Sequence, residues 1–292
     1  MSLYESGDST GDVSLTDLFE ENVKNKLLEK VQLQTIANLI VRGGWPETID
    51  ISIDGARRIT RSYLKAVIEQ DISEIDGIKR DKNKMEMLLR SLARNESTIS
   101  SNSVLIRDIA DNSTEEEITV SRNTVAEYLD VLDRLHLIEN QKSFMYKIRS
   151  KSNVGKNSKR HFTDPSLGCA ALNITPEKLL KDLNTFGFYF EALCERDLRI
   201  YAENIGGNLY HYRDNNTGLE VDAIVEIEDG TYGAFEIKLG ANQEEEAAEN
   251  LKKFYNSVDI KPKFMCIICG LYNAVIRRQD GIYVIPITAL KN

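Results

Sequence analysis

Long apolar runs are missing from this 292-residue sequence, and none approaches the roughly 20 apolar residues of a membrane span. The first fifteen residues are polar and acidic, so they do not have the form of a secretory signal. Histidine is scarce. His136, His161 and His211 stand far apart and lack the spacing of a metal site or of a histidine-dependent hydrolase. The four cysteines are Cys169, Cys194, Cys266 and Cys269. The last two frame Ile267 and Ile268 in an apolar run that reads as a buried strand, and zinc would need two further ligands at matching spacing. Buried thiols in a reducing, cytoplasmic setting are the expectation. There is no Gly-x-Ser-x-Gly elbow and no internal repeat. A Gly-x-x-x-x-Gly-Lys-Ser/Thr loop is also absent, so no ATP site of that kind is encoded. Positive charge is short as well: 37 Lys and Arg face 46 Asp and Glu, for a net charge of −9. That balance argues against nucleic-acid binding over the whole surface.

What remains is ordinary globular composition, 41% apolar and 28% charged, with length for two domains or three small ones. Residues 14–76 read as helical. Ser14 to Asp17 give a helix start, and Gly43, Gly44 and Pro46 break the first long helix. A second follows over about 55–73, with Ile59, Tyr63, Val67 and Ile68 on one face. Trp45 reads as a packing anchor.

Residues 82–149 carry three amphipathic segments and then a strand, the order of a winged helix-turn-helix. Met85, Leu88, Leu89 and Leu92 mark the first helix, 103–110 the second, and Val125, Leu129 and Leu132 the third. Ser121, Arg122, Asn123 and Thr124 begin the third helix, where such units meet base edges. Acids over 111–118 would repel phosphate there, so protein docking stands as the alternative. From Lys142 to His161 the chain is basic without an acid. Lys151, Lys156, Lys159 and Arg160 form either a DNA-facing wing or a solvated loop.

Asp164-Pro165 is read as a turn rather than as a catalytic acid. Beyond it, helix 177–200 precedes strands at about 200–204, 208–213, 219–227 and 231–239. A helix over 243–256 and strands at 263–269 and 282–285 complete a mixed sheet with a helix on each side. The central hairpin turns at Asp229-Gly230. Period-two alternation puts Val221, Ala223, Val225 and Ile227 on one face and Asp222 on the other. It also puts Phe235, Ile237 and Leu239 opposite Glu236 and Lys238. Two carboxylates and a lysine thus converge, which suits a hard divalent cation beside a lysine that orients water or stabilises phosphoryl charge. Arg213 is placed either to meet a phosphate or to pair with Asp214 or Glu220.

Asp222 on one strand, Glu236-Ile237-Lys238 on the next and Glu191 on the preceding helix resemble the PD-(D/E)XK nuclease motif. The resemblance implies Mg²⁺ or Mn²⁺ on Asp222, Glu236 and the Ile237 carbonyl, with Glu191 as an outer acid ligand. Lys238 would act on water and phosphate. Residues 43–47, Arg61 to Leu64 and Glu69 to Ile72, with the opening fifteen residues, are similar to a family of bacterial and archaeal AAA-type ATPases. These carry a C-terminal domain of unknown function that itself resembles PD-(D/E)XK nucleases. The implied order is a helical segment ending the ATPase region (1–81), a winged helix-turn-helix (82–160) and a nuclease-like α/β domain (161–292). The implied partners are the ATPase domain of a longer protein and DNA, with no membrane. The alternative is a catalytically silent module that regulates the ATPase.

Overall fold

The N-terminal segment is stitched into the rest of the chain. The computed structural model describes residues 1–75, 77–111, 120–145 and 158–292. β1 (Val13–Ser14) leads into α1 (Leu15–Phe19). The Asp17 N–H donates to Ser14 Oγ at 3.0 Å and the Ser14 N–H donates to Asp17 Oδ2 at 2.9 Å, a reciprocal cap at the expected start. β2 (Lys26–Leu27) and α2 (Leu33–Arg42) follow. Gly43 ends α2 with φ of 74°, a conformation that favours glycine. Next comes α3 (Ile53–Ala66), which passes through a π-helical turn at Val67–Asp71 into α4 (Ile72–Glu74). Trp45 anchors this corner as expected: its Nε1–H donates to Ser166 Oγ at 2.9 Å and its ring packs 5.2 Å from that of Tyr63.

α5 (Lys82–Arg94), α6 (Asn102–Asp111) and α7 (Arg122–Arg134) precede β3 (Ile138–Gln141) and β4 (Lys159–Phe162), which pair antiparallel. Asp81 and Ser121 cap α5 and α7 by accepting from Lys84 N–H and Thr124 N–H. Leu64 and Val67 join Leu88, Leu105, Leu129 and Ile138 in one core, which α8 (Pro165–Leu172) closes with Leu167.

The remaining elements are α9 (Pro176–Lys181), α10 (Leu183–Asn204), β5 (Asn208–Arg213), β6 (Glu220–Glu226) and β7 (Tyr232–Lys238). After these come α11 (Glu244–Ser257), β8 (Phe264–Cys269), β9 (Ala274–Arg277), β10 (Tyr283–Pro286) and β11 (Leu290–Lys291). They build a mixed α/β fold around a seven-stranded sheet of order β2-β9-β10-β8-β7-β6-β5. β8 runs parallel to β7 and β10, and the other neighbours are antiparallel. α10 covers one face, packing Phe186, Phe190 and Leu193 on Ala223, Val225, Phe235 and Ile237. α11 covers the other, packing Ala247, Leu251 and Phe254 on Ile224, Ala234 and Ile267. Burial of a side chain such as Phe190 or Phe254 contributes roughly 1.5–3 kcal/mol.

Two expectations are corrected. Residues 200–204 are not a strand: Tyr201 and Ala202 continue the buried stripe of Cys194 and Leu198, and α10 runs to Asn204. Gly206, at φ of 70°, provides the stop. Nor do residues 1–81 form a unit apart. Leu3, Leu15, Leu18, Ile36 and Ile40 lie in the α10 core, β2 pairs with β9 and β1 with β11. Two-residue strands carry no legible period, so this pairing has no sequence signal. Among the described residues no helix is long and apolar enough to cross a membrane.

Candidate active site

Period-two geometry holds along β7. Phe235 and Ile237 enter the α10 core, and Glu236, 3% exposed, turns to α11. There the Asn250 side chain donates to Glu236 Oε1 at 2.7 Å and to the Glu220 carbonyl at 2.6 Å. Sequence reasoning missed Asn250, which lies one helix beyond the motif. β6 departs from strict alternation. Tyr210 pairs with Ile224 and Tyr212 with Val221, so Asp222 and Ala223 together oppose His211. This bulge shifts the phase: Val221 joins Ile224 on the α11 face, not Ala223 on the α10 face. It also frees Asp222 from the ladder and turns it over the edge of β7.

Asp222 Oδ2 accepts from the Ile237 N–H at 2.8 Å and from Lys238 Nζ at 3.1 Å. Lys238 Nζ also lies 2.7 Å from Glu236 Oε2. The three expected residues therefore meet, with the ammonium between the two carboxylates. A strand residue presents its N–H and carbonyl to the same edge, so the Ile237 carbonyl faces the side where Asp222 stands. Burial, and then the charge of Asp222, push the Glu236 carboxyl up to about 8, although Lys238 and Asn250 pull it down. Burial alone would weaken the hold of Lys238 on its proton, but the Asp222 and Glu236 charges outweigh it and raise its pKa.

Hard oxygen donors that crowd negative charge fit a divalent cation of the Mg²⁺ or Mn²⁺ class. Asp222, Glu236 and the Ile237 carbonyl would hold it. Glu191 is not gathered with them. It lines a cavity of about 310 Å³ with Asp222, but it sits on α10, across the sheet from Glu236. Its Oε1 is engaged by Lys159 Nζ. No group of three or more His, Cys, Asp or Glu side chains arranged for a metal occurs among the described residues.

Lys159 is itself a correction. The basic run places it on a DNA-facing wing, yet it is 7% exposed and lies 3.1 Å from Glu195 Oε1. Unpaired burial of that charge would be costly, so it serves the acids of α10 rather than phosphate. The same network holds His161, whose Nε2 is 2.9 Å from Glu195 Oε2 and whose Nδ1 is 3.3 Å from Glu96 Oε1. Lys151 and Lys156 lie outside the described residues. Arg122 and Asn123 stand exposed at the start of α7, and Arg160 shares a cavity with Arg122.

This buried network sets a pH dependence. Burial lowers the His161 pKa, but the Glu195 charge and the bonds to Glu195 and Glu96 raise it above 6.5 overall. Its contribution is complete below pH 6.5 and is lost as pH rises through the higher folded value. Burial opposes ionisation of Glu195, but His161 and Lys159 prevail and bring it down to about 2. That contribution is present above pH 4.5 and disappears as pH falls toward 2. Urea unfolding midpoints should therefore fall between pH 6 and 9 for the native chain. The fall should be smaller in His161→Gln; equal slopes would remove His161 as the cause.

Several other expectations meet their geometry. Arg213 pairs with Glu220 at 2.5 Å. All four cysteines are buried and unpaired. Asp164 is structural: 7% exposed, it caps α8 through Ser166 N–H and accepts from Gly44 N–H at 2.8 Å. Sequence reasoning also missed a cavity of about 510 Å³ ringed by Arg58, Arg61, Lys65 and Arg90 over Leu64 and Ile68. These cations are spread over α3 and α5, and no local spacing unites them.

Residues 186–290 match a family described as Domain of unknown function (DUF4143), a domain often found in AAA-ATPase-associated proteins. No curated protein and no solved structure matches the chain. Residues 33–178, half of the sequence, match the family described as Domain of unknown function (DUF8612), and the chain belongs to that family.

Proposed function

We propose that this chain is a metal-dependent phosphodiester hydrolase acting on DNA, forming the C-terminal region of an AAA-type ATPase. The observation that carries the reading is the meeting of Asp222, Glu236 and Lys238 at the edge of β7. In this reading α10 and the strands from β5 to β8 form a PD-(D/E)XK-like unit, and α5 to β4 form a winged helix-turn-helix. A bound Mg²⁺ would polarise the phosphoryl oxygen and lower the pKa of its water. Asp222 and Glu236 would hold and orient that ion from two adjacent strands. Asn250 fixes the rotamer of Glu236. Lys238 orients the attacking water and balances charge that develops on the phosphate.

A second reading, a silent module that regulates the ATPase, is favoured by one observation. The Lys238 ammonium already bridges both carboxylates, and Lys159 already balances Glu191. Under either reading the proposed partner is the ATPase domain of a longer protein.

Two measurements on one preparation test the enzyme reading. Supercoiled plasmid with Mg²⁺ or Mn²⁺ should be nicked, and chelation should stop it. Mn²⁺ affinity should rise by about tenfold per pH unit until about pH 8 and then level off, because the ion must displace the Glu236 proton. Plasmid that stays uncut while Mn²⁺ binds with this profile would leave the silent reading.

A further inference from the structure

Segment 97–103 lies between two cavities. Ser97, Thr98 and Ile99 line the cavity that holds Asp222. The next four residues line a second one, of about 390 Å³. Arg160 on β4 separates them, its N–H donating to the Thr98 carbonyl at 3.3 Å. The second cavity is lined by hydroxyl and amide side chains and by two arginines, Arg122 and Arg160. Among the described residues that line it there is no carboxylate, in a chain of net charge −9.

Arg160 is the telling group. Its guanidinium donates to the Ser100 carbonyl at 2.8 Å, to Asn102 Oδ1 at 2.9 Å and to Asn140 Oδ1 at 3.3 Å. Those acceptors are neutral, and they use three of the five donors of a guanidinium. Burial lowers its pKa. A sheltered cation fixed by neutral partners, with donors to spare, is a preformed anion seat. Arg122 faces the same space, with Nη2 3.4 Å from Ser103 Oγ. It bends back toward α6 rather than along the outer face of α7, where a base-reading residue would stand. Asn102 and Arg122 are the first residues of α6 and α7, so both helices begin at the cavity. The N–H groups of their first turns and their dipoles add to its positive potential.

We propose that this cavity is a phosphate subsite in which Arg122 and Arg160 grip the backbone of the DNA strand whose scissile bond lies at Asp222. The identity of the strand rests on the nuclease reading; the anion seat rests on the cavity alone. Seven extended residues span at most about 25 Å. A B-form strand advances 3.4 Å per phosphate, so the segment that joins the two cavities spans at most about seven phosphates. Two planar guanidinium forks match phosphate oxygens better than point charges do.

The test is fluorescence anisotropy of labelled duplex and single-stranded DNA with EDTA present, so that metal and cleavage play no part. Arg122 is exposed, and Arg122→Glu is expected to fold normally and weaken binding by about tenfold or more at 100 mM salt. Arg122→Ala with Arg160→Gln should reduce the slope of log affinity against log salt by about two, one for each lost phosphate contact. Arg160→Lys, which keeps the charge, should retain most of the slope. Variants with native melting curves and unchanged slopes would overturn the subsite and leave plasmid nicking to be judged on its own. Displaceable inorganic phosphate without DNA binding would make this a free-phosphate site and overturn the strand assignment. Slopes that fall as expected while the native chain cleaves nothing would uphold the subsite and sink the nuclease reading.

Discussion

Asp222→Ala is expected to abolish Mn²⁺ binding and DNA cleavage together, whereas Lys238→Ala should keep the ion and lose turnover by about 10²–10³. The contrast follows from which atoms each side chain engages. Asp222 supplies one of two carboxylates at the edge of β7, and Glu236 alone would be a single hard ligand fixed by Asn250. Lys238 competes with a metal for the same two carboxylates, 3.1 Å from one and 2.7 Å from the other. Its removal should leave Mn²⁺ affinity equal or higher while the rate falls. Glu191→Gln is the internal control. Glu191 pairs with Lys159 and lies across the sheet from Glu236, so Mn²⁺ affinity should not change. Titration calorimetry with Mn²⁺ and initial rates of plasmid nicking read both quantities. A loss of Mn²⁺ binding in Glu191→Gln would restore Glu191 to the ligand set and count against the site as drawn. Cleavage that survives Asp222→Ala would detach the activity from this site.

The β7 half of this site was legible because a central strand obeys period two without interruption, and Glu236 and Lys238 fell on one face with Phe235 and Ile237 on the other. Asp222 was legible as a residue but not as a geometry. The bulge at Asp222 and Ala223 depends on how β5 pairs, and His211 opposite them carries no bulge signal. Lys159 was misread for a related reason. Its neighbours in sequence are basic and polar, but its fate is set by Glu191 and Glu195, 32 and 36 residues away. There was a clue on α10. Two like charges at i and i+4, beside the buried stripe of Phe190 and Leu193, require a cation from elsewhere. The break at Gly43 and Gly44 was visible as punctuation, but its cause was not. A Cβ on Gly44 would meet the Met1 carbonyl at 2.1 Å and Arg196 Nη1 at 3.0 Å.

That contact leads to the largest stability effect expected in the chain, from Arg196→Met. Arg196 is buried on α10, with Nη1 2.9 Å from Asp164 Oδ2 and Nη2 2.7 Å from Asp197 Oδ1. Asp164 also caps α8 and accepts from Gly44, while Asp197 Oδ2 accepts from the Leu3 N–H at 2.9 Å. One guanidinium therefore joins α10, α8 and the N-terminal turn. Burial would lower the Arg196 pKa, but the two aspartates outweigh it and raise it. Methionine approximates the length of the side chain and takes the shared guanidinium away from two buried carboxylates. Breaking a buried pair in this way costs about 3–5 kcal/mol. For a chain of this size the melting temperature should fall by on the order of 10 °C. The deficit has a sign in pH. Burial already holds the Asp197 carboxyl above its usual range with Arg196 present, and without Arg196 it should rise further. Acid that protonates it should then recover part of the loss, so the variant should approach the native chain as pH falls from 8 to 5. Arg196→Lys keeps the charge but cannot span both aspartates as a fork, and should fall between the two. Denaturant midpoints for the three proteins at pH 5 and pH 8 decide it. A loss under about 1 kcal/mol, or one that grows in acid, would show that the N-terminal turn and α8 are held by their apolar contacts and not through Arg196.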